Sequence, residues 1–171
     1  KVTVTVTDVN EIPVITSNGG GMTASISYFE NDTSAVTTVT STDDDSSSTA
    51  TYSISGTDSE DFIINNTTGV LSFIVLPNYE APVDSDANNE YIVFVMVQDS
   101  MLLSDTQTIV VTVVNVNEAP VITSNGGGIT ASISYFENDT SAVATITSTD
   151  VDSSSTVFYS ISGTDSLYFS I

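Results

Sequence analysis

Strict alternation of apolar and polar positions dominates the chain. Residues 1–7 read Lys-Val-Thr-Val-Thr-Val-Thr, with Val2, Val4 and Val6 on one face. A period of two with β-branched residues predicts a half-buried strand. The same period, or a short apolar run, returns at Met22–Tyr28, Ala35–Ser41, Thr51–Ser55, Phe62–Ile64, Val70–Val75, Tyr91–Gln98 and Gln107–Val114. Turn chemistry separates them: Gly19-Gly20-Gly21, Asp43-Asp44-Asp45-Ser46-Ser47-Ser48, Gly56, Asn65-Asn66-Thr67-Thr68-Gly69, and a polar loop over Pro77–Asn89. No stretch sustains the i, i+3, i+4 apolar spacing of a helix. The pattern predicts an all-β chain, a seven-stranded antiparallel Greek-key β-sandwich.

One hexapeptide occurs twice, as Asp8-Val9-Asn10-Glu11-Ile12-Pro13 and as Asn115-Val116-Asn117-Glu118-Ala119-Pro120, 107 residues apart. At that offset, residues 119–171 match residues 12–64 at 43 of 53 positions. The spacing is one domain length, so the hexapeptides read as joints between tandem repeats. Residues 1–12 are then the last strand and linker of a preceding repeat, 13–119 a complete repeat, and 120–171 the N-terminal part of the next. That last part has no counterpart of the fifth to seventh strands, which either a continuing chain or another chain would supply. The chain opens inside a predicted strand with no signal peptide, as an excerpt or processed piece would.

Charge narrows the functional classes. There are 22 acidic residues against Lys1 alone, no histidine, and a formal net charge of −21. Such a surface repels nucleic acid phosphates and anionic headgroups, and no apolar run approaches the roughly 20 residues needed to span a bilayer. With no His, no Cys and no Gly-rich phosphate loop at a helix start, an enzyme is not expected. Cysteine is absent, which leans toward a bacterial surface protein over a disulfide-bonded secreted sandwich.

The motif order resembles a cadherin-type repeat in the form found in large bacterial surface proteins. A Glu-Asn follows the first strand, in Phe29-Glu30-Asn31 and Phe136-Glu137-Asn138. An Asp-x-Asp follows the second, in Asp43-Asp44-Asp45 and Asp150-Val151-Asp152. Asn78-Tyr79-Glu80 follows the fifth strand, Asp99 ends the sixth, and the two joints complete the set. The resemblance implies Ca2+ as cofactor and an extracellular, cell-surface location. It implies metal ligands among Asp8, Asn10, Glu11, Glu30, Asp43, Asp45, Asn78, Glu80, Asp99, Asn115, Asn117, Glu118, Glu137, Asp150 and Asp152. Calcium takes six to eight oxygen ligands, and the loops of a sandwich gather at its two ends. Asp8, Asn10 and Glu11 are therefore expected to face Asp43, Asp45 and Asp99. Glu30, Glu80 and Asn115–Glu118 are expected to face Asp150 and Asp152. Asn115 and Asn78 stand where the family has Asp, so the second joint should bind calcium more weakly and bend more readily. Asp84 and Asp86 lie in a polar loop that is either a further cation loop or simply solvated.

Counting in twos puts Tyr91, Val93, Val95, Val97, Ile109, Val111 and Val113 inward. The opposite face then carries Ile92, Phe94 and Met96 beside Val110 and Val114, more apolar than a solvated sheet face. It is either a contact surface for another copy or a neighbouring domain, or a patch that the 77–89 loop covers. The expected function is a calcium-rigidified structural repeat of an extracellular adhesin or surface filament, extending between cell and target. The alternatives are a self-assembling fibre or sheath subunit whose chains exchange strands, and a carbohydrate-binding module.

Overall fold

The computed structural model describes residues 1–45, 49–152 and 155–171. Ser46, Ser47 and Ser48 of the predicted acidic loop lie outside the described residues, as do Ser153 and Ser154 of its second copy. The chain forms two compact units, residues 1–116 and 117–171.

In the first unit the strands are β1 (Val14–Ile15), β2 (Thr23–Phe29), β3 (Thr37–Thr38), β4 (Ser41–Thr42), β5 (Thr51–Ser55), β6 (Phe62–Ile64), β7 (Val70–Phe73), β8 (Glu90–Gln98) and β9 (Ser104–Val114). One sheet has the order β2-β9-β8-β5 and the other β3-β7-β6, with β1 and β4 forming a separate two-stranded ladder. This is the β-sandwich the alternation predicts, with two departures besides the short added strand β1. The predicted second strand, 35–41, is split, because Thr37–Thr38 pairs with β7 whereas Ser41–Thr42 pairs with β1. The fold is also not wholly antiparallel, since β2 runs parallel to β9 from Thr23↔Thr108 to Phe29↔Val114. Parallel neighbours need a long crossover, and here everything from β3 to β8 supplies it.

Alternation places the core. Tyr91, Val93, Val95 and Val97 on β8 and Ile109, Val111 and Val113 on β9 are at most 2% exposed. They cluster with Phe62 and Leu71 of the other sheet and with Val36 and Val39, which flank β3. Phe73 links four aromatic rings across the layer, 4.4 Å from Phe62, 5.1 Å from Tyr91 and 5.2 Å from Tyr28. Offset and edge-on rings at such distances add to what area burial alone supplies. One polar side chain belongs to this core. Gln107 is fully buried, and its amide donates to the carbonyls of Gly21 (2.7 Å) and Ser17 (3.4 Å), fixing the glycine loop ahead of β2.

Identical sequence does not give identical structure in the two repeats, and pairing explains why. Among the described residues of the second unit the strands are β10 (Val121–Ile122) and β11 (Ser148–Thr149), paired in the register of β1 and β4. Of the ladders in the first repeat, β1–β4 is the one whose two strands both have counterparts in residues 117–171. Residues 130–136 repeat the sequence of β2 without a change, yet they form no strand, because the partner of β2 is β9. Lys1–Thr7 behaves alike. Val4, Thr5 and Val6 recur as Val111, Thr112 and Val113 inside β9, but at residues 1–7 no ladder forms. There Val2, Val4 and Val6 are 89%, 81% and 91% exposed. β-propensity describes fitness for a paired surface and does not create one.

Candidate metal centre

The first joint folds back onto the loop after β4. The backbone N–H of Glu11 donates to Asp45 Oδ2 at 2.8 Å, and the N–H of Asp45 donates to Asp43 Oδ1 at 2.9 Å. Asn10 donates its amide to Asp99 Oδ2 at 2.6 Å, tying the joint to the β8–β9 turn. That turn is itself built by Asp99, whose Oδ1 accepts from the N–H groups of Met101 (2.9 Å) and Leu103 (2.8 Å). Carboxylate oxygens of Asp8, Glu11 and Asp45 then lie within 4.8 Å of one another. Beside them Asp43 Oδ2 is buried with no hydrogen-bond partner among the described residues. An orphaned buried carboxylate oxygen next to three more carboxylates fits a hard cation, and a donor set of oxygens alone suits calcium or magnesium better than zinc or copper.

Electrostatics in this cluster pull in opposite directions. The Glu11 carboxyl is held above its ordinary value of 4.5 by partial desolvation and by Asp45, Asp8, Asp44 and Asp43. Asp99 sits below its ordinary 3.8: partial burial pushes it up, but the Asn10 amide and the backbone N–H groups of residues 101–103 outweigh that. The two windows do not overlap. The Glu11 contribution to metal-free stability is complete below 4.5 and is lost as pH rises through its raised folded value. The Asp99 contribution is complete above 3.8 and is lost as pH falls through its lowered value. At neutral pH the ion-free joint keeps several like charges close together, a repulsion that a divalent cation would relieve.

The second joint repeats the geometry of the first within its own unit. Glu118 N–H donates to Asp152 Oδ2 at 2.7 Å, Asp152 N–H to Asp150 Oδ1 at 3.1 Å, and the Asn117 amide to the Glu118 carbonyl at 2.8 Å. Asp150 Oδ2, the counterpart of Asp43 Oδ2, is likewise buried without a partner among the described residues.

The first unit carries the remaining predicted ligands at its C-terminal end. Buried Glu30 accepts from Tyr79 N–H (3.0 Å) through Oε2 and from Val116 N–H (2.7 Å) through Oε1. The Asn115 amide donates to Glu80 Oε1 at 2.7 Å, a bond that an Asp there would replace with repulsion. Asn78 uses its side-chain oxygen to accept from Glu80 N–H at 3.0 Å, shaping the turn. Glu137 is exposed; residues 79 and 116, which hold its counterpart Glu30, have no equivalents in the second unit.

Two buried carboxylates have a structural use. Asp58, which alternation and motif order leave unmarked, is 3% exposed and accepts from Ser85 N–H (2.9 Å) and Ile92 N–H (2.7 Å). Asp84, 5% exposed, accepts from Asn88 N–H (2.8 Å) and Asn89 N–H (3.3 Å). Together they pin the 77–89 loop. The outer sheet face assembles as counted, with Ile92 opposite Val110 in the β8–β9 register. Phe29, which the count in twos does not reach, joins it beside Val114. Ile92, Phe94 and Phe29 remain 39%, 40% and 58% exposed, so the loop does not cover the face.

The family model of the cadherin domain matches residues 23–115. No curated protein sequence matches the chain. Among solved structures it is similar to protocadherin gamma B7 extracellular cadherin domains 1–4, at 21% identity and TM-score 0.53, over 83% of this chain and 33% of that one. Human protocadherin-24 EC1-2 is similar at 20% identity and TM-score 0.54, over 84% and 63% respectively. Drosophila N-cadherin EC1-4 is similar at 17% identity and TM-score 0.51, over 68% and 28%. The chain spans less than two thirds of each of these structures. Among the described residues no helix is long and apolar enough to cross a membrane.

Proposed function

The chain belongs to the cadherin family, and from that premise we propose that it is a calcium-rigidified repeat of an extracellular adhesin or surface filament, an extender and not an enzyme. The observation that carries this reading is the buried oxygen of Asp43, without a hydrogen-bond partner among the described residues, beside the carboxylates of Asp8, Glu11 and Asp45. Recurrence of the same orphan at Asp150 supports a role in every joint of an array. Asp8, Glu11, Asp43 and Asp45 would hold calcium at the first joint. Within the second unit Glu118, Asp150 and Asp152 would hold the ion in the same way, and within the first unit Glu30, Glu80 and Asn115 are further candidate ligands. The bound ion neutralises carboxylates that otherwise repel by about 1 kcal/mol per pair at 4 Å in water. Lack of cysteine favours a bacterial cell surface as the setting.

Calorimetric titration tests the reading. Calcium is expected to bind saturably, with dissociation constants of about 10⁻⁴–10⁻³ M as in extracellular modules generally. No heat up to millimolar calcium sinks it. The apolar strip Phe29, Ile92, Phe94, Met96, Val110 and Val114 supports contact with another copy of the chain. Phe94→Ser with Met96→Ser is then expected to lower the sedimentation-average mass at high concentration; an unchanged mass rejects that contact.

A further inference from the structure

The first unit has another recessed feature, whose rim reaches Asn78 but which is otherwise lined by residues outside the candidate ligand set. The turn Ser59–Asp61, the segment after β7 and the start of the 77–89 loop enclose a cavity of about 240 Å³. Phe73, Leu76 and Val83 are among its apolar walls, and Glu60 and Asp61 are its acidic ones. The chain around it is unusually apolar for a surface. Ile74, Val75 and Val83 are 60%, 75% and 67% exposed, and three such residues in a row follow β7 as Ile74-Val75-Leu76.

We propose that this cleft is a docking site for a partner protein, which inserts one lysine or arginine side chain. Size comes first. Pockets for drug-sized ligands run to roughly 300–1,000 Å³, so 240 Å³ suits a single side chain better. The lining matches in chemistry, because Lys and Arg bury an aliphatic stem along apolar surface while the charged head stays at a polar edge. Glu60 and Asp61 provide that edge, with buried Asp58 and Asp84 adding negative potential. Asp61 feels it: burial, then Asp58, Asp84 and Glu60, raise its carboxyl above the ordinary value, and an inserted cation would reverse that.

Charge complementarity also decides between partners. A chain with 22 acidic residues and only Lys1 cannot furnish the basic side chain from a second copy except at its first residue. The basic side chain therefore comes from outside these 171 residues, and we assign it to a partner protein. Comparison of the two repeats separates this feature from the architecture. Glu30, Asp43, Asp45 and Asp58 recur as Glu137, Asp150, Asp152 and Asp165, whereas Glu60 and Asp61 give way to Leu167 and Tyr168. Candidate ligands Glu30, Asp43 and Asp45 and the loop-pinning Asp58 repeat, whereas the acidic edge of the cleft belongs to this repeat.

Amide-resolved NMR titration of the whole chain at fixed calcium tests the proposal. The probe is a blocked peptide with one lysine between two leucines, and its controls are the norleucine analogue and free putrescine. Saturable shifts are expected at residues 60–61, 74–76 and 83, with at least tenfold weaker binding of both controls. The double variant Glu60→Leu with Asp61→Tyr, which installs the side chains the second repeat already carries, is expected to weaken the lysine peptide at least tenfold. Asp61→Asn is expected to weaken it in the same direction. Equal binding of the norleucine peptide would show an apolar cleft without charge recognition, and equal binding of putrescine a site for free ammonium ions. Shifts spread over all surface carboxylates would show unspecific attraction. Each of these three results overturns the proposal, as does unchanged binding by the double variant.

Discussion

Gly69→Ala is expected to destabilise the first unit by about 3–4 kcal/mol, read as a lower midpoint of chemical denaturation with an unchanged slope. Gly69 has φ +70°, and a Cβ there would lie 2.1 Å from the Val39 carbonyl oxygen and 3.1 Å from its carbon. Those are backbone atoms of the facing strand region, and they cannot step aside. The Gly69 carbonyl also accepts from Val39 N–H at 2.8 Å, so moving one breaks the other. Gly19 is the control. It has φ +85° but nothing within 4 Å of where an added Cβ would lie, so Gly19→Ala should cost only the left-handed penalty of about 1–2 kcal/mol. Equal costs at the two sites would mean that the Gly69–Val39 approach is not as close as described.

Asp45→Asn is expected to act with opposite sign depending on calcium. The substitution keeps an oxygen to accept from Glu11 N–H while removing one negative charge from the cluster around Asp8 and Glu11. In chelator the variant should match or exceed the parent in thermal midpoint, because a repulsive neighbour of Glu11 is gone. In calcium it should fall below the parent. With calcium at 100 times the dissociation constant, binding stabilises the parent by about 2.7 kcal/mol, and a tenfold weaker site retains only about 1.4 kcal/mol. A variant that lowers the midpoint equally in both conditions would assign Asp45 to the loop's structure alone.

Much of the fold is legible from alternation. β5 and β6 have the predicted bounds, and β8 and β9 run a little longer than predicted because the ladder extends to Glu90 and Ser104. What alternation cannot carry is pairing. Lys1–Thr7 has the pattern of β9 and residues 130–136 duplicate β2, yet neither forms a strand, since no described strand pairs with them. The split of 35–41 between two partners and the parallel β2–β9 ladder are likewise decided by neighbours distant in sequence.

The candidate site is readable in the sequence as a set of residue types and only partly as geometry. Repetition marks Asp43 and Asp150, but not that each leaves one oxygen unpartnered. The Asn115 side chain reads as a weakened ligand, whereas the structure gives its amide a bond to Glu80. Asp58 and Gln107 carry no motif at all. Each is recognisable only once folding has buried it against backbone groups that need a partner.

Stiffening of the joints by calcium is measured by small-angle X-ray scattering of a protein containing two complete repeats, first in calcium and then in chelator. Calcium is expected to give a larger maximum dimension and a narrower spread of conformations, lost on chelation and restored when the ion returns. Superimposable profiles in the two conditions would contradict it.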